Sequence, residues 1–447
     1  MSDSDSETKA ADPGLAARQG AQRLVAAVLV QRRALDESFA EESARGLLSN
    51  LAPADRGFAR AIAATTLRHL GEIDLIVKRL LDKKLPKSAG ITQTIIRTAI
   101  AEILFLDVKP HAAVDLAVEA ASRDADARHF KSLVNAVLRR LLREQATLRE
   151  GIDAERAALP PWLWKSWIGI YGEIKTRRII RAQFAEPPLD LSVKKEEDAA
   201  LWAERLGATR LPTGSLRLAS AGRIENLPGF EEGAWWVQDA AAALPARLLG
   251  DVGDKDVLDL CAAPGGKTAW LAARGARVTA LDRSAVRLQR LTQNLARLSL
   301  DAEVLTSDAA TFTSERRWDL ILLDAPCTAT GTARRHPDVL HLKTPADRDR
   351  LAALQSRLLA HAATTLLAPG GTLVYCTCSL EPEEGPNQIE AFLAAHADFS
   401  RVPVTTAEIG GLDDAITRAG DLRTLPCHLD GEGGLDGFYA ARLTRRR

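Results

Sequence analysis

The sequence predicts an all-helical N-terminal domain, a small α/β subdomain and a C-terminal α/β domain with a mostly parallel sheet. Three observations support this fold class. A length of 447 residues corresponds to about three domains. Apolar residues recur at helical spacing through the N-terminal third. In the C-terminal half, short apolar runs typical of buried strands alternate with amphipathic helical patterns.

Composition is that of an ordinary globular protein, with 46% hydrophobic and 26% charged residues. The chain carries 59 Lys and Arg against 59 Asp and Glu, so a uniformly basic nucleic-acid binder is not expected. The charge is unevenly distributed, because residues 15–147 hold 21 basic and 15 acidic side chains. A locally basic domain is therefore predicted in the N-terminal third.

Five cysteines in this length exclude a disulfide scaffold in practice and favour a reducing compartment. The first ten residues are polar and acidic and show no apolar core of a signal peptide. No apolar stretch approaches 18 residues, so no membrane-spanning segment is expected. These features predict a cytoplasmic protein.

Residue patterns along the chain divide it into four predicted segments. Residues 1–14 are polar and are predicted to form a disordered tail. Residues 15–148 are predicted to be all-helical, with prolines between the apolar runs marking helix ends. Residues 149–236 are predicted to hold a helical linker and then a small α/β subdomain. Residues 237–447 form the third predicted domain.

The predicted third domain alternates strands and helices. Its strands are Val257–Leu260, Val278–Leu281, Glu303–Thr306, Leu320–Leu323 and Thr372–Cys376, and its helices are 267–274, 284–298 and 345–367. Such alternation implies a doubly wound sheet whose ligand crevice lies at the carboxyl ends of the strands.

The most informative motif lies where the first of these strands ends. It comprises Cys261, Ala262, Ala263, Pro264, Gly265, Gly266 and Lys267. Glycines in a turn between a strand and a helix let the backbone approach a ligand and direct helix N-terminal amides at it. The spacing matches neither a dinucleotide fingerprint nor a P-loop. The alternative is a tight turn needed only for packing.

Two acids follow the next two strands. Asp282 can accept hydrogen bonds from two ribose hydroxyls, and Asp308 can meet an adenine amino group. Each acid alone is more often a helix N-cap, and Asp282 before Ser284 suits that role. Together with the glycine turn, the two acids favour a nucleoside-binding site.

Cys327 and Cys378 follow the fourth and fifth strands, so they are expected beside the ligand crevice. A thiolate is a strong nucleophile when its surroundings favour ionisation. Inert burial is the commoner state of a cysteine, and we assign it to Cys261, Cys376 and Cys427. Zinc binding by Cys376 and Cys378 lacks a second ligand pair at zinc spacing, so no metal is predicted.

The segments CAAPGGK, DAPC and TCS resemble the S-adenosylmethionine-dependent RNA cytosine-C5 methyltransferases. Residues 324–338 look most like the bacterial 16S rRNA branch, the RsmB/Fmu family. That branch carries a NusB-like helical N-terminal domain and a Rossmann-like methyltransferase domain, and both agree with the predicted segments. The likeness is strong over 238–390 and weaker in the N-terminal third.

The resemblance implies a role for individual residues. Cys378 would be the nucleophile, and Cys327 would assist product release as a base. Asp324 would hydrogen-bond the cytosine near N3, and Lys267 would orient Asp324. The cofactor S-adenosyl-L-methionine would be held by the set Cys261 to Lys267, Asp282, Arg287, Asp308 and Asp324.

The chemistry accounts for these residue types. Cytosine C5 is a poor nucleophile, and attack of a thiolate on C6 turns the ring into an electron-rich enamine. An acid near N3 stabilises the charge that develops on the ring. Because C5 must be reached, a single-stranded or flipped base is expected. The resemblance makes 16S rRNA the expected substrate.

RNA contacts are also expected outside the crevice. The resemblance implies RNA binding by the 149–236 subdomain and RNA or protein binding by the NusB-like domain. Candidate phosphate ligands are basic clusters in the latter, namely Lys78, Arg79, Lys83, Lys84, Lys87, Arg139 and Arg140. The alternative for each cluster is a solvated helix face.

Three alternative functions stay open from the sequence. The same chemistry on tRNA or another RNA needs no change in the motifs. A non-catalytic RNA-binding ribosome assembly factor is disfavoured, because it has no need of both Cys327 and Cys378. A redox or metal protein using Cys376 and Cys378 would be purified with metal or a disulfide. A monomer is the expected oligomeric state.

Overall fold

The computed structural model describes residues 13–447. Residues 1–12 of the predicted tail lie outside the described part, whereas Pro13 and Gly14 differ from the prediction and open the first helix. The chain forms two compact units. The helical unit extends to Lys165 and also takes in His336–Leu342. The sheet unit comprises Ser166–Arg335 and Lys343–Arg447.

The helical unit is built from short amphipathic helices. They are α1 (Pro13–Leu29), α2 (Leu35–Arg45), α3 (Pro53–Arg68), α4 (Leu70–Leu80), α5 (Thr92–Phe105), α6 (Pro110–Arg123), α7 (Lys131–Arg149) and α8 (Ala154–Ala158). Prolines stand in the first turn of α3 and α6, where the missing N–H has no intrahelical partner to lose. One apolar core joins α1 to α3 and a second joins α4 to α7.

Residues 336–342 complete the helical unit although they come late in the chain. The carboxylate of Asp338 accepts a hydrogen bond of 3.0 Å from the backbone N–H of Leu35. The ring of His341 hydrogen-bonds the Leu67 carbonyl at 2.8 Å. The Leu340 side chain is buried. Apolar burial and these two hydrogen bonds thus attach this segment to α2 and α3.

Helix α9 (Pro161–Phe184), most of which belongs to the sheet unit, is kinked at Gly172 and leads into a small antiparallel sheet. The sheet has the order β2-β3-β1-β4, and its strands are β1 (Leu189–Val193), β2 (Thr209–Arg210), β3 (Leu216–Leu218) and β4 (Trp235–Val237). Helix α10 (Ala199–Leu206) follows β1. The apolar faces of the strands and α10 enclose a core around Trp202 and Trp235.

The large sheet has the order β10-β12-β9-β8-β5-β6-β7, with β11 paired to β12. Its strands are β5 (Asp256–Leu260), β6 (Arg277–Asp282), β7 (Glu303–Thr306), β8 (Trp318–Asp324), β9 (Leu367–Thr377), β10 (Phe399–Arg401), β11 (Leu422–Thr424) and β12 (Phe438–Arg445). Strands β5 to β9 pair in parallel, and the last three are antiparallel. This arrangement confirms the predicted fold class of a mostly parallel sheet.

Helices cover both faces of the large sheet. They are α11 (Ala240–Arg247), α12 (Gly266–Ala273), α13 (Ala285–Leu298), α15 (Pro345–His361) and α16 (Pro386–Ala395). The short helix α14 (Val339–Leu342) belongs to the helical unit. Side chains alternate along the strands, so Val257 and Leu258 enter cores on opposite faces. The predicted helix 345–367 is too long, because Ala362–Leu366 widens into a π-turn and Leu367 already belongs to β9.

Candidate active site

Two neighbouring parallel strands bring the candidate reactive thiols together. Asp324 at the end of β8 pairs in register with Cys376 of β9, so the segments after both strands leave the same edge of the sheet. Cys327 and Cys378 lie on these segments, and their Sγ atoms are 3.5 Å apart. At this distance one thiol can donate a hydrogen bond to the other sulfur.

Lys267 and Asp324 form a largely buried ion pair beside the thiols. The Nζ atom of Lys267 lies 2.8 Å from Oδ2 of Asp324, and the lysine side chain is only 9% exposed. Burial by itself would lower the pKa of the Lys267 ammonium, but the Asp324 carboxylate outweighs burial and raises that pKa. Lys267 is therefore a permanent cation that orients the Asp324 carboxylate.

The surroundings of Cys327 favour its protonated form. The pKa of Cys327 is raised well above the usual value by its hydrogen bond with Cys378, then by burial and by the nearby charges of Cys378 and Glu384. Cys327 is therefore a protonated donor near neutral pH. The arrangement suits a pair in which Cys327 donates to the sulfur of Cys378.

The other three cysteines carry no sign of reactivity. Burial raises the pKa of the thiols of Cys261, Cys376 and Cys427, with nearby acids adding to the effect at Cys261 and Cys376. Cys376 also directs its sulfur to Oδ1 of Asp324 at 3.5 Å. A thiol that keeps its proton is a weak nucleophile, so each of these residues is suited to packing.

The glycine turn has a geometry that requires its glycine. Gly265 precedes α12 with a φ of 102°, a left-handed conformation that side chains disfavour. A Cβ atom at this position would lie 2.7 Å from Cγ of Leu291 in α13. The turn thereby passes close to α13 and leaves the amides at the start of α12 free to face a ligand.

Asp282 stands at the end of β6 and braces the glycine turn. Its Oδ2 accepts a hydrogen bond of 3.2 Å from the Ala263 N–H and lies 3.4 Å from the Arg287 guanidinium. Arg287 also donates to the Ala263 carbonyl. The N-cap of α13 is Ser284 and not Asp282. Asp282 and Arg287 therefore shape the loop as well as the crevice.

Several of these residues border a cleft that is lined by both apolar and charged side chains. Its lining consists of Cys261, Leu281, Asp282, Arg283, Arg287, Asp308, Ala309, Pro326, Leu354 and Leu358. The apolar members offer walls for a purine, while the two acids offer acceptors for hydroxyl and amino groups. The carboxylate of Asp282 is almost fully buried at the cleft. This donor and acceptor set fits the adenosyl part of S-adenosylmethionine.

Comparison with known proteins agrees with this geometry. Residues 246–444 match the family described as 16S rRNA methyltransferase RsmB/F, and residues 15–143 match the NusB family. The chain is 38% identical over 399 residues to ribosomal RNA small subunit methyltransferase B of Pasteurella multocida, covering 85% of each chain. The chain belongs to the RsmB/F family. It is thus a member of an RNA methyltransferase family that uses S-adenosylmethionine, as the sequence predicted.

Solved structures show the same fold. A protein titled PH0851 superposes with a TM-score of 0.74 at 24% identity, over 96% of this chain and 98% of that one. NSun6 from Pyrococcus horikoshii, crystallised with SFG, gives a TM-score of 0.54 at 19% identity, over 65% of this chain and 99% of that one. These likenesses support the family fold, including the predicted NusB-like helical domain.

The basic clusters of the helical unit are partly used within the protein. Arg79 donates to the carbonyls of Leu148 and Glu150 at 2.7 and 2.8 Å. Arg140 pairs with Glu144 at 3.0 Å. The lysines of the same cluster are exposed, namely Lys78, Lys83, Lys84 and Lys87. The lysines thus stay candidates for phosphate contact, whereas Arg79 and Arg140 serve the fold.

Two buried carboxyl groups near the site were not found from the sequence. Glu384 is fully buried against the residues that follow the two cysteines. Asp259 lies under the glycine turn, where burial raises its pKa to about 7 and Thr268 donates to it at 2.7 Å. Glu384 lies in an acidic run after a strand, and such a run does not reveal which member is buried.

Within residues 13–447, no helix is long and apolar enough to cross a membrane. The same part of the chain contains no group of three or more His, Cys, Asp or Glu side chains placed to hold a metal ion.

Proposed function

We propose that this protein transfers a methyl group from S-adenosylmethionine to C5 of a cytosine in 16S rRNA through a covalent bond between Cys378 and C6. The observation that carries the proposal is the pair of thiols, 3.5 Å apart, beside the Lys267–Asp324 ion pair. Family membership supports an RNA methyltransferase with this cofactor. The name of the Pasteurella multocida relative supports ribosomal RNA of the small subunit as substrate.

The first step is addition of the Cys378 sulfur to cytosine C6. The electron pair of the thiolate forms the S–C6 bond, and the C5–C6 π electrons form a C4–C5 double bond. The C4–N3 π electrons move onto N3, which takes up a proton from water. In this proposal Asp324 would accept a hydrogen bond from the protonated N3 of the base, and Lys267 supports it by donating to the Asp324 carboxylate. The product is an enamine with high electron density at C5.

The second step places the methyl group. When bound, S-adenosylmethionine supplies an electrophilic methyl group to C5. The bracing of the loop at Ala263 by Asp282 and Arg287 preserves the cleft in which the cofactor would lie. Such positioning accounts for much of the rate gained from holding two reactants together.

Cys327 is assigned to product release. Its raised pKa depends first on the hydrogen bond with Cys378, and this cause disappears once the Cys378 sulfur is bonded to C6. Cys327 then loses its proton more readily and can remove the proton from C5. The electron pair of the C5–H bond re-forms the C5–C6 double bond, the Cys378 thiolate leaves, and N3 returns its proton to water to give neutral 5-methylcytosine.

The test is methyl transfer from labelled S-adenosylmethionine to deproteinised 16S rRNA by the wild type, Cys378→Ala and Cys327→Ala. We expect label in a cytosine with the wild type, none with Cys378→Ala, and a stalled covalent RNA adduct with Cys327→Ala. Cys427→Ala, which removes another buried thiol, is the matched control and should retain activity.

Other outcomes decide between the alternatives. Labelling of tRNA but not rRNA would keep the chemistry and overturn the substrate. Binding of the cofactor without methylation of any RNA would favour a ribosome assembly factor. Label at a position other than C5, with no adduct in Cys327→Ala, would overturn the covalent mechanism.

A further inference from the structure

A single buried carboxylate joins the two segments that carry the thiols. Glu384 is fully buried, and its Oε2 accepts a hydrogen bond of 2.6 Å from the hydroxyl of Ser379. The backbone N–H of Thr328 donates to its Oε1 at 2.9 Å, and the Thr328 hydroxyl donates to Oε2. Thr328 directly follows Cys327, and Ser379 directly follows Cys378.

Glu384 is also linked, through Gln355, to the residue that precedes Cys327. The amide of Gln355 in α15 donates both to the carbonyl of Pro326 at 2.8 Å and to Oε1 of Glu384 at 3.1 Å. The residue before and the residue after Cys327 are therefore both tied to Glu384, one of them through Gln355. This leaves the Cys327 backbone little freedom to move away from Cys378.

The backbone of Glu384 adds a further tie on the Cys378 side. Its carbonyl accepts hydrogen bonds from the hydroxyls of Thr377 and Tyr375, at 3.0 and 2.9 Å. Thr377 directly precedes Cys378. Both cysteines are thus flanked on either side by residues that bond Glu384 directly or through one amide.

The chemistry of these contacts requires an acceptor at the centre. Each group around the Glu384 carboxylate is a donor, namely a backbone N–H, two hydroxyls and a side-chain amide. A carboxylate offers about four acceptor positions on two oxygens, which matches this set. A glutamine would present an N–H₂ group to at least one of these donors.

We infer that Glu384 is the positioning residue that holds the sulfur atoms of Cys327 and Cys378 at their separation of 3.5 Å. It touches neither thiol through a hydrogen bond and acts through Thr328 and Ser379. The inference depends on the proposed function only for the identity of the reaction that this sulfur–sulfur spacing serves. The spacing itself can be tested without RNA or cofactor.

The decisive variant is Glu384→Gln, with Glu381→Gln as its matched control. Glu381 is also fully buried, but its carboxylate accepts from Ser166 and Trp167 of α9 at 2.6 and 2.7 Å. Both variants replace one buried carboxyl group of the same segment by an amide, and thermal melting of each checks that it is folded. Any general effect of a lost buried carboxylate should appear in both.

The spacing is probed by phenylarsine oxide, whose arsenic bonds two thiols and releases water. Cys376→Ala is present in every protein so that a third thiol does not compete. We expect affinity to fall at least about tenfold in Glu384→Gln, because the gain from binding two sites at once needs the correct spacing. Glu381→Gln should bind like the parent, and variants lacking Cys327 or Cys378 should lose this tight binding.

Methylation gives the second readout. Glu384→Gln should lower kcat by roughly 100-fold, the cost of a small misplacement of reacting groups, with little change in KM for RNA or in cofactor affinity. Glu384→Asp, which keeps the carboxyl group, should recover part of the rate. Thr328→Val and Ser379→Ala should each cost activity, and their effects should not add to that of Glu384→Gln.

The inference is overturned if folded Glu384→Gln binds the arsenical as tightly as Glu381→Gln, or if both variants weaken it equally. Should the wild type methylate no RNA, the proposed function fails, while the arsenical comparison still decides the role of Glu384.

Discussion

Cys327 and Cys378 approach each other to 3.5 Å although 51 positions separate them in the chain. They meet because β8 and β9 are parallel neighbours in register, so that the segments after both strands emerge at one edge. The hydrogen bond with Cys378 raises the pKa of Cys327. In the proposed mechanism this gives the thiols unequal tasks, because the hydrogen bond would be lost once the Cys378 sulfur is bonded to cytosine C6.

Lys267→Met should both destabilise the protein and remove activity. The ion pair with Asp324 is largely buried, and removal of one partner from such a pair costs about 3–5 kcal/mol at most positions. Asp324 is about 29% exposed, so the loss in the free energy of unfolding should fall at the low end. Chemical denaturation and single-turnover methylation measure the two effects. In the double variant Lys267→Met/Asp324→Asn, the free energy of unfolding should recover but methylation activity should not. Recovery of both would contradict a role of the ion pair in the reaction.

Asp282→Asn should weaken cofactor binding more than Asp308→Asn does. Asp282 is buried, pairs with Arg287 and bonds the Ala263 N–H, whereas Asp308 lies in the exposed part of the cleft lining. Loss of a charge-assisted hydrogen bond costs about 1.5–3 kcal/mol, or roughly 10- to 150-fold in Kd. Calorimetric titration with S-adenosylmethionine measures both variants. Equal Kd values for Asp282→Asn and the wild type would remove Asp282 from the site.

Gly265→Ala should lower the free energy of unfolding of the sheet unit by more than the cost of placing an alanine at a positive φ angle. The new methyl group would meet Leu291 at 2.7 Å, and overpacking adds about 1–3 kcal/mol. Gly250→Ala is the matched control, because Gly250 also has a positive φ of 75° but has no heavy atom within 4 Å of the added Cβ. Urea denaturation of the two variants should separate the steric cost from the backbone cost. A smaller effect at Gly265 than at Gly250 would contradict the close approach to α13.

The buried carboxyl of Asp259 predicts a pH-dependent stability. Its pKa of about 7 exceeds the unfolded value of about 3.9, so the folded state binds the proton more tightly. The stabilisation is complete below about pH 4 and is lost as the pH rises through 7. The free energy of unfolding of the wild type should therefore fall between pH 4 and 8 relative to that of Asp259→Asn.

The measurement is the difference between the two proteins in urea denaturation at pH 5.5 and pH 8. Burial also raises the pKa of Glu102 to about 7, but Glu102 is present in both proteins and cancels in the difference. A difference that does not change between these pH values would show that Asp259 is ionised in the folded protein throughout.

The sequence predicted those parts of the site that depend on strand order. Asp282, Asp324 and Cys378 each end or follow a parallel strand, and alternation of strands and helices is enough to place them at one edge. The turn at Gly265 was also predictable, because two adjacent glycines between a strand and a helix mark a close approach.

Other features depend on burial that no local pattern records. Glu381, Glu383 and Glu384 stand in one acidic run, and only the fold shows that Glu384 faces the thiol segments. The same holds for Arg79. It looks like a phosphate ligand in the sequence, but it donates hydrogen bonds to the carbonyls of Leu148 in the last turn of α7 and of Glu150 just after that helix. The strand β2 has two residues and no apolar periodicity to reveal it.

The late segment His336–Leu342 has a consequence for the order in which the chain is made. Leu35 receives its hydrogen-bond partner only when Asp338 has been synthesised, and Leu340 supplies buried apolar surface to the same unit. A nascent chain stopped at Lys165 therefore holds α1 to α8 without part of their native contacts. Translation must therefore pass three quarters of the message before the first unit can make all of its native contacts.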